Sequence, residues 1–248
     1  MEAGRGSRGA GVLPGFVVVL AAVGAVSYTA WILEFLLSPG IDVVDGYVSE
    51  LSARGQPYRL VFSAGDLVTG VLVTGVALAA LLMLRRRPWA VFGWCSLLLF
   101  GLWAIGDSLF SMDCAPSIDT ACALRERAGQ VSFSHEFHSV TSSMVTLCGI
   151  AALLGLSIAA RRYGWWPALA RWGWLLALTE AVLSGGTLAL MYFGLWLGLA
   201  QRLQISVLCM GLLVIAWALH TDWLAYRQAR AALASVRPPR EKAGSTPP

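Results

Sequence analysis

The chain has 248 residues, 57% of them hydrophobic and 13% charged, where soluble domains carry about 25% charged residues. Its 18 basic and 14 acidic side chains are too few to cover a water-soluble globule of that length, so its solvent is lipid. The net charge of +4 raises nucleic acid as a partner, but basic residues on a membrane protein encode orientation, and their placement along this chain excludes that partner.

A bilayer crossing needs roughly 17 to 25 apolar residues. Six runs qualify: Pro14 to Leu37, Tyr58 to Leu84, Trp89 to Ser111, Ser132 to Ala160, Ala168 to Phe193, and Leu203 to Tyr226. The expectation is an all-α bundle of six transmembrane helices, with residues 1–13 as an N-terminal tail and 14–226 as the membrane domain. Residues 227–248 read as a basic, Pro-rich tail with a disordered end. The first run follows Arg5 and Arg8 as a signal peptide would, yet it is too long for an h-region and lacks a small-x-small cleavage site. It reads as a retained helix. Six crossings place both termini on one side, together with 13 of the 18 basic residues, among them Arg85 to Arg87, Arg161, Arg162, Arg171 and Arg227. That side is therefore cytoplasmic. Eleven of the 14 acidic residues fall on the outer side or within the membrane. No Walker-type loop or GxGxxG occurs, so no nucleotide site is expected, and GxxxG at Gly11–Gly15 and Gly194–Gly198 lies at segment ends.

Ionisable groups in a membrane are costly and mark candidate functional positions. Span one carries Glu34 near its outer end. In the following loop, Gly55 ends a short helix bearing Ser49, Glu50 and Arg54, with Glu50 and Arg54 spaced for an i,i+4 pair. Either that pair is a surface ion pair worth little, or the loop is a lid over the outer layer whose polar residues touch a ligand. At 1.5 Å of rise per residue, Asp66 lies about 12 Å below the outer end of span two, and Asp107 about 6 Å below that of span three. Cys114 and Cys122 share the next outer loop, where oxidising surroundings favour a disulfide over two free thiols. Cys95, Cys148 and Cys209 sit within spans as small apolar residues.

His135 and His138, the latter about 9 Å into span four, are three apart and so share one helix face. Three readings follow. The two imidazoles with Asp66 or Asp107 would supply a zinc set with one position open for water. Without metal, Asp66, Asp107, His135 and His138 form a proton-transfer cluster. In the third reading they satisfy one another, with Ser63, Ser108 and Ser134, and fix helix packing. Glu180 is deeper, about 20 Å from the outer end of span five. It either lines a cavity with Thr179, Ser184 and Gly185 or is protonated and bonded to a neighbouring helix. His220 lies near the inner end of span six, so no pair of imidazoles on different helices matches in depth, and haem is not expected. Seven of the 11 Trp gather near inner span ends as interfacial anchors.

The Ser49-Glu50-Leu51 loop leading through Gly55 and Pro57, the Asp113-Cys114 to Cys122 loop, and the Ser134-His135-Glu136-Phe137-His138 start of span four together resemble the bacterial domain-of-unknown-function family 998. The resemblance covers about residues 14 to 226 and implies a multi-span membrane protein, with no activity to carry over. The reading that results is a plasma-membrane protein of a bacterium, surrounded by lipid, with an outward polar pocket. That pocket is expected to bind a lipid headgroup or a small extracytoplasmic ligand through Glu34, Ser49, Glu50, Arg54 and Glu180. One alternative is a membrane hydrolase acting on an outer-leaflet lipid through Asp66, Asp107, His135 and His138. The other is a proton- or ion-coupled carrier built on Glu180. The sequence sets no oligomeric state.

Overall fold

In lipid a backbone must satisfy its own hydrogen bonds, so apolar sequence of this length is driven into helices. The computed structural model of the protein describes residues 10–193 and 195–236, and among these no strand occurs. The outermost parts of both predicted tails, with Arg5, Arg8, Arg237, Arg240 and Lys242, lie outside the described residues, as does Gly194 of the second GxxxG. Six helices are long and apolar enough to cross a membrane. Span one is α1 (Gly15–Ser27), a 3₁₀ stretch (Tyr28–Leu33) and the short α2 (Glu34–Leu37). Span two is α3 (Arg59–Met83), span three α4 (Pro88–Leu109) and span four α6 (Phe133–Tyr163). Span five is a π-helical turn (Leu169–Gly173) running into α7 (Trp174–Phe193), and span six is α8 (Leu197–Val236). A 3₁₀ turn (Val48–Ser52) and α5 (Thr120–Arg127) occupy the two long loops at one end.

The spans close into a ring in sequence order: α1 packs on α3, α3 on α4, α4 on α6, α6 on α7, α7 on α8, and α8 returns to α1. Small residues set the closest crossings. A Cβ on Gly101 of α4 would meet the Gly70 carbonyl of α3 at 2.8 Å, and one on Gly155 of α6 would meet the Gly93 Cα of α4 at 2.9 Å. Side chains at these points would push α4 away from both neighbours. The core they enclose holds Trp94, Leu97, Phe100, Leu153, Leu156 and Leu169.

Span six departs from its predicted bounds, because α8 continues through Val236 instead of ending near Tyr226. The added residues are mostly good helix formers, Arg, Gln, Ala and Leu. Arg227 also lies over the Trp223 ring at 4.8 Å and Arg230 over Tyr226 at 5.8 Å.

Candidate functional site

The end carrying the two long loops is tied together by buried polar residues. Glu34, on the last turn of span one, and Arg202, in the second turn of α8, form a bidentate pair (Nε to Oε1 2.7 Å, Nη2 to Oε2 2.5 Å), with 3% and 4% of their side chains exposed. Arg202 Nη1 also donates to the carbonyls of Val43 (3.1 Å) and Gly46 (2.8 Å). The first loop is thereby fastened onto α8, and Gly198 makes room for it, since a Cβ there would lie 2.8 Å from both Arg202 Nη1 and the Val43 carbonyl. Glu34 is a structural anchor here and not a free ligand.

Glu50 is likewise consumed. Fully buried, it accepts from the Tyr47 amide (3.1 Å), the Ser117 amide (3.3 Å) and the Ser117 hydroxyl (2.5 Å), which joins the first loop to the second. Burial raises its carboxyl above the ordinary range, although those hydrogen bonds pull the other way. The predicted Glu50–Arg54 pair does not form. The 3₁₀ turn stops at Ser52 and Ala53 is extended, so Arg54 leaves the helical register and pairs with Asp113 at 3.4 Å. Ser49 contributes its carbonyl, which accepts from the Ser52 hydroxyl.

Asp113 organises the second loop. Its carboxylate accepts from the Ser132 amide and hydroxyl, both at 2.7 Å. Burial alone would raise Asp113, but these bonds, with Arg54 and His135 nearby, hold it below the usual carboxylate value. Cys114 and Cys122 are joined by a disulfide, and Asp119 caps α5 by accepting from the amides of Ala121 and Cys122. Ser132 caps α6 through the His135 amide.

The structure sends the two histidines to different partners. The Nδ1 of His135 accepts from the Asp113 amide at 3.2 Å, so its hydrogen sits on Nε2, which is buried without a hydrogen bond and 3.6 Å from Glu126. His138 lies one turn deeper. Its Nδ1 is 2.8 Å from the Phe110 carbonyl, which can only accept, so that nitrogen carries a hydrogen, and it stands 3.3 Å from Asp107 Oδ1. The predicted zinc set of His135, His138 and Asp107 is not assembled: among the described residues, only Cys114, Asp119 and Cys122 have ligating atoms mutually within 4.8 Å, and both of those sulfurs are bonded to each other. One helix face is shared, but one turn of depth separates what each ring touches.

What converges is Asp107, His138 and two hydroxyls. Thr141 and Ser142 donate to Asp107 Oδ1 at 2.6 and 2.7 Å, and Ser142 Oγ is 3.4 Å from His138 Nε2. These hydroxyls sit three and four residues after His138, a spacing that puts them on its face and that sequence reading passed over. Ser108 and Ser134 instead bond to backbone carbonyls of Ile105 and Ser111. Asp66, on α3, is half-buried and within electrostatic reach of Asp107, and among the described residues it has no hydrogen-bond or ion-pair partner. Glu180 is wholly buried on α7, with neither carboxyl oxygen hydrogen-bonded among the described residues.

A cavity opens at the other end. A crevice of about 900 Å³ is lined by Arg85, Trp165, Trp166, Asp222, Trp223 and Tyr226 among others.

The family model described as protein of unknown function (DUF998) matches residues 7–218. No curated protein matches the chain, and neither does any solved structure.

Proposed function

The chain belongs to the DUF998 family of proteins of unknown function, and from that premise we propose that this multi-pass membrane protein binds a small cationic ligand, or the ammonium of a lipid headgroup, at Asp66 and Asp107. The observation that carries this reading is the unpartnered Asp66 carboxyl. Two cations at this end are already committed, Arg202 to Glu34 and Arg54 to Asp113. Asp66 and Asp107 therefore present acidic groups from adjacent helices, and among the described residues neither is paired with an arginine or lysine. An unpaired carboxylate at this depth is costly, and a cationic guest would relieve that cost. The predicted ligand set is narrowed accordingly, since Glu34, Glu50 and Arg54 are engaged by the protein itself.

The hydrolase reading has one observation in its favour, the hydroxyl–imidazole–carboxylate order of Ser142, His138 and Asp107. Ser142 gives its proton to Asp107 and not to the imidazole, so the hydroxyl is not set up for deprotonation by His138. Binding is the better supported role.

The test is thermal unfolding of the protein in lipid nanodiscs, titrated with ethanolamine and choline and repeated with nanodiscs bearing phosphoethanolamine or phosphocholine headgroups. A ligand at 100 times its Kd should stabilise by about 2.7 kcal/mol, and Asp66→Asn should abolish the effect while acetate has none. Equal stabilisation of Asp66→Asn and the unaltered protein would remove the proposal.

A further inference from the structure

The crevice at the arginine end is used by none of the foregoing. One wall is the chain from Ala10 to Pro14, and the others come from Arg85, from Gly164 to Pro167 between α6 and span five, and from Asp222, Trp223 and Tyr226 of α8. Its local structure is distorted. Trp166 has φ +46°, in the left-handed region, which a bulky aromatic residue adopts only where its surroundings enforce it. Span five then opens on the π-helical turn Leu169–Gly173, a distortion frequent at functional sites. The Trp166 side chain is 1% exposed, and its indole N–H lies within reach of the Asp222 carboxyl without closing a hydrogen bond among the described residues. Asp222 is half-buried and forms no ion pair among those residues. An indole N–H can only donate and an ionised carboxyl only accept, so one hydroxyl placed between them would accept from the first and donate to the second.

Charge narrows the guest further. At this end the described residues hold eight arginines, at 85–87, 161, 162, 171, 227 and 230, against the single acid Asp222, and such a field favours an anion. Arg85 lines the crevice, while Arg227 and Arg230 lie over two of its rings, Trp223 and Tyr226. Guanidinium groups stacked in this way keep their N–H edges for phosphate oxygens. The aromatic lining offers π faces to the C–H edges of a sugar or polyol. Depth sets the order of these groups: α8 runs toward this end, so Tyr226 lies one turn, about 6 Å, beyond Asp222, and Arg227 and Arg230 follow it. A lipid headgroup rising from the membrane would bring its phosphate to Asp222 first, against like charge. A soluble phosphate ester entering from the water places its hydroxyl end at Trp166 and Asp222 and its phosphate among the arginines.

We propose that this crevice binds a soluble phosphorylated sugar or polyol, with Trp166 and Asp222 holding a hydroxyl and Arg85, Arg227 and Arg230 the phosphate. The site is independent of the ligand at Asp66 and Asp107, which lies at the opposite end of the bundle.

The experiment is calorimetric titration of the full chain, in phosphatidylcholine nanodiscs, with glucose 6-phosphate, ribose 5-phosphate and glycerol 3-phosphate, each set against inorganic phosphate. At least one ester should saturate and bind roughly tenfold tighter than phosphate, the yield of one hydrogen bond to a charged group. Arg85→Ala should weaken that ester several-fold, while Arg162→Ala, which removes a charge at the same end outside the crevice, leaves it unchanged. Asp222→Asn should erase most of the preference for ester over inorganic phosphate, with the melting temperature of the unliganded protein retained. The proposal is overturned if no ester saturates, if inorganic phosphate binds as tightly, or if Asp222→Asn keeps the preference intact. It is equally overturned if Arg162→Ala weakens binding as much as Arg85→Ala, or if phosphatidylglycerol or phosphatidylinositol in the nanodisc displaces the ester.

Discussion

The two ends of this bundle use arginine in opposite ways. At the end without long loops, Arg87, Arg161, Arg171, Arg227 and Arg230 lie over the rings of Tyr163, Trp174, Trp172, Trp223 and Tyr226, at 4.8 to 5.8 Å. At the other, Arg54 and Arg202 are bound to carboxylates, and Arg202 is shut away from solvent. Ring stacking holds a charge at an interface while leaving it hydrated, which suits anchoring and orientation. A buried ion pair fixes one geometry and is costly to break. The first end is therefore built to tolerate change and the second is not.

The contrast is broken most directly at Arg202. Arg202→Ala strands the Glu34 charge and should destabilise by about 3–5 kcal/mol in denaturant unfolding of the micellar protein. The double substitution Glu34→Leu with Arg202→Leu should recover most of that loss, and its failure to do so would mean that Val43 and Gly46 need the guanidinium more than Glu34 does. A smaller effect is expected at Asp113, where Asp113→Asn should cost about 1–2 kcal/mol at neutral pH. Because this carboxyl titrates below its ordinary value, its contribution is present above the unfolded pKa and is lost as pH falls through the folded one. Melting curves of the two proteins should converge in acid. Glu50 has the opposite sign: burial raises it, so its share of stability is full in acid and lost as pH rises through the folded value. The smallest change belongs to the arginine-on-ring end, where Arg227→Ala should cost about 0.5–1 kcal/mol at most, measured in the same unfolding assay.

Much of this was legible in the sequence, because uninterrupted apolar runs leave a chain in lipid little choice but helix. The stacking of Asp66, Asp107 and His138 toward one end followed from rise per residue alone. What escaped was pairing. Arg202 falls just before Leu203, the predicted start of span six, and nothing local joins it to Glu34, 168 residues away. Glu50 and Arg54 had the spacing of a helical pair, but a turn ending at Ser52 voids that spacing. His135 and His138 were correctly placed on a common face, yet the turn between them gives one to Asp113 and the other to Asp107. Thr141 and Ser142 carried a usable signal, since i+3 and i+4 from a buried histidine is where its helical neighbours stand.

The ring has a consequence for how the protein is made. Its first helix must wait for its last, and the acid on span one meets its base only after 168 further residues have been synthesised. At roughly 5–20 residues per second that is on the order of ten to thirty seconds. Throughout that interval Glu34 sits in a nascent membrane protein without its counter-charge, exposed to whatever surveillance recognises unfinished chains. Arrival of Arg202 ends the exposure in one step, so the same pair that holds the finished bundle also marks the moment at which it becomes complete.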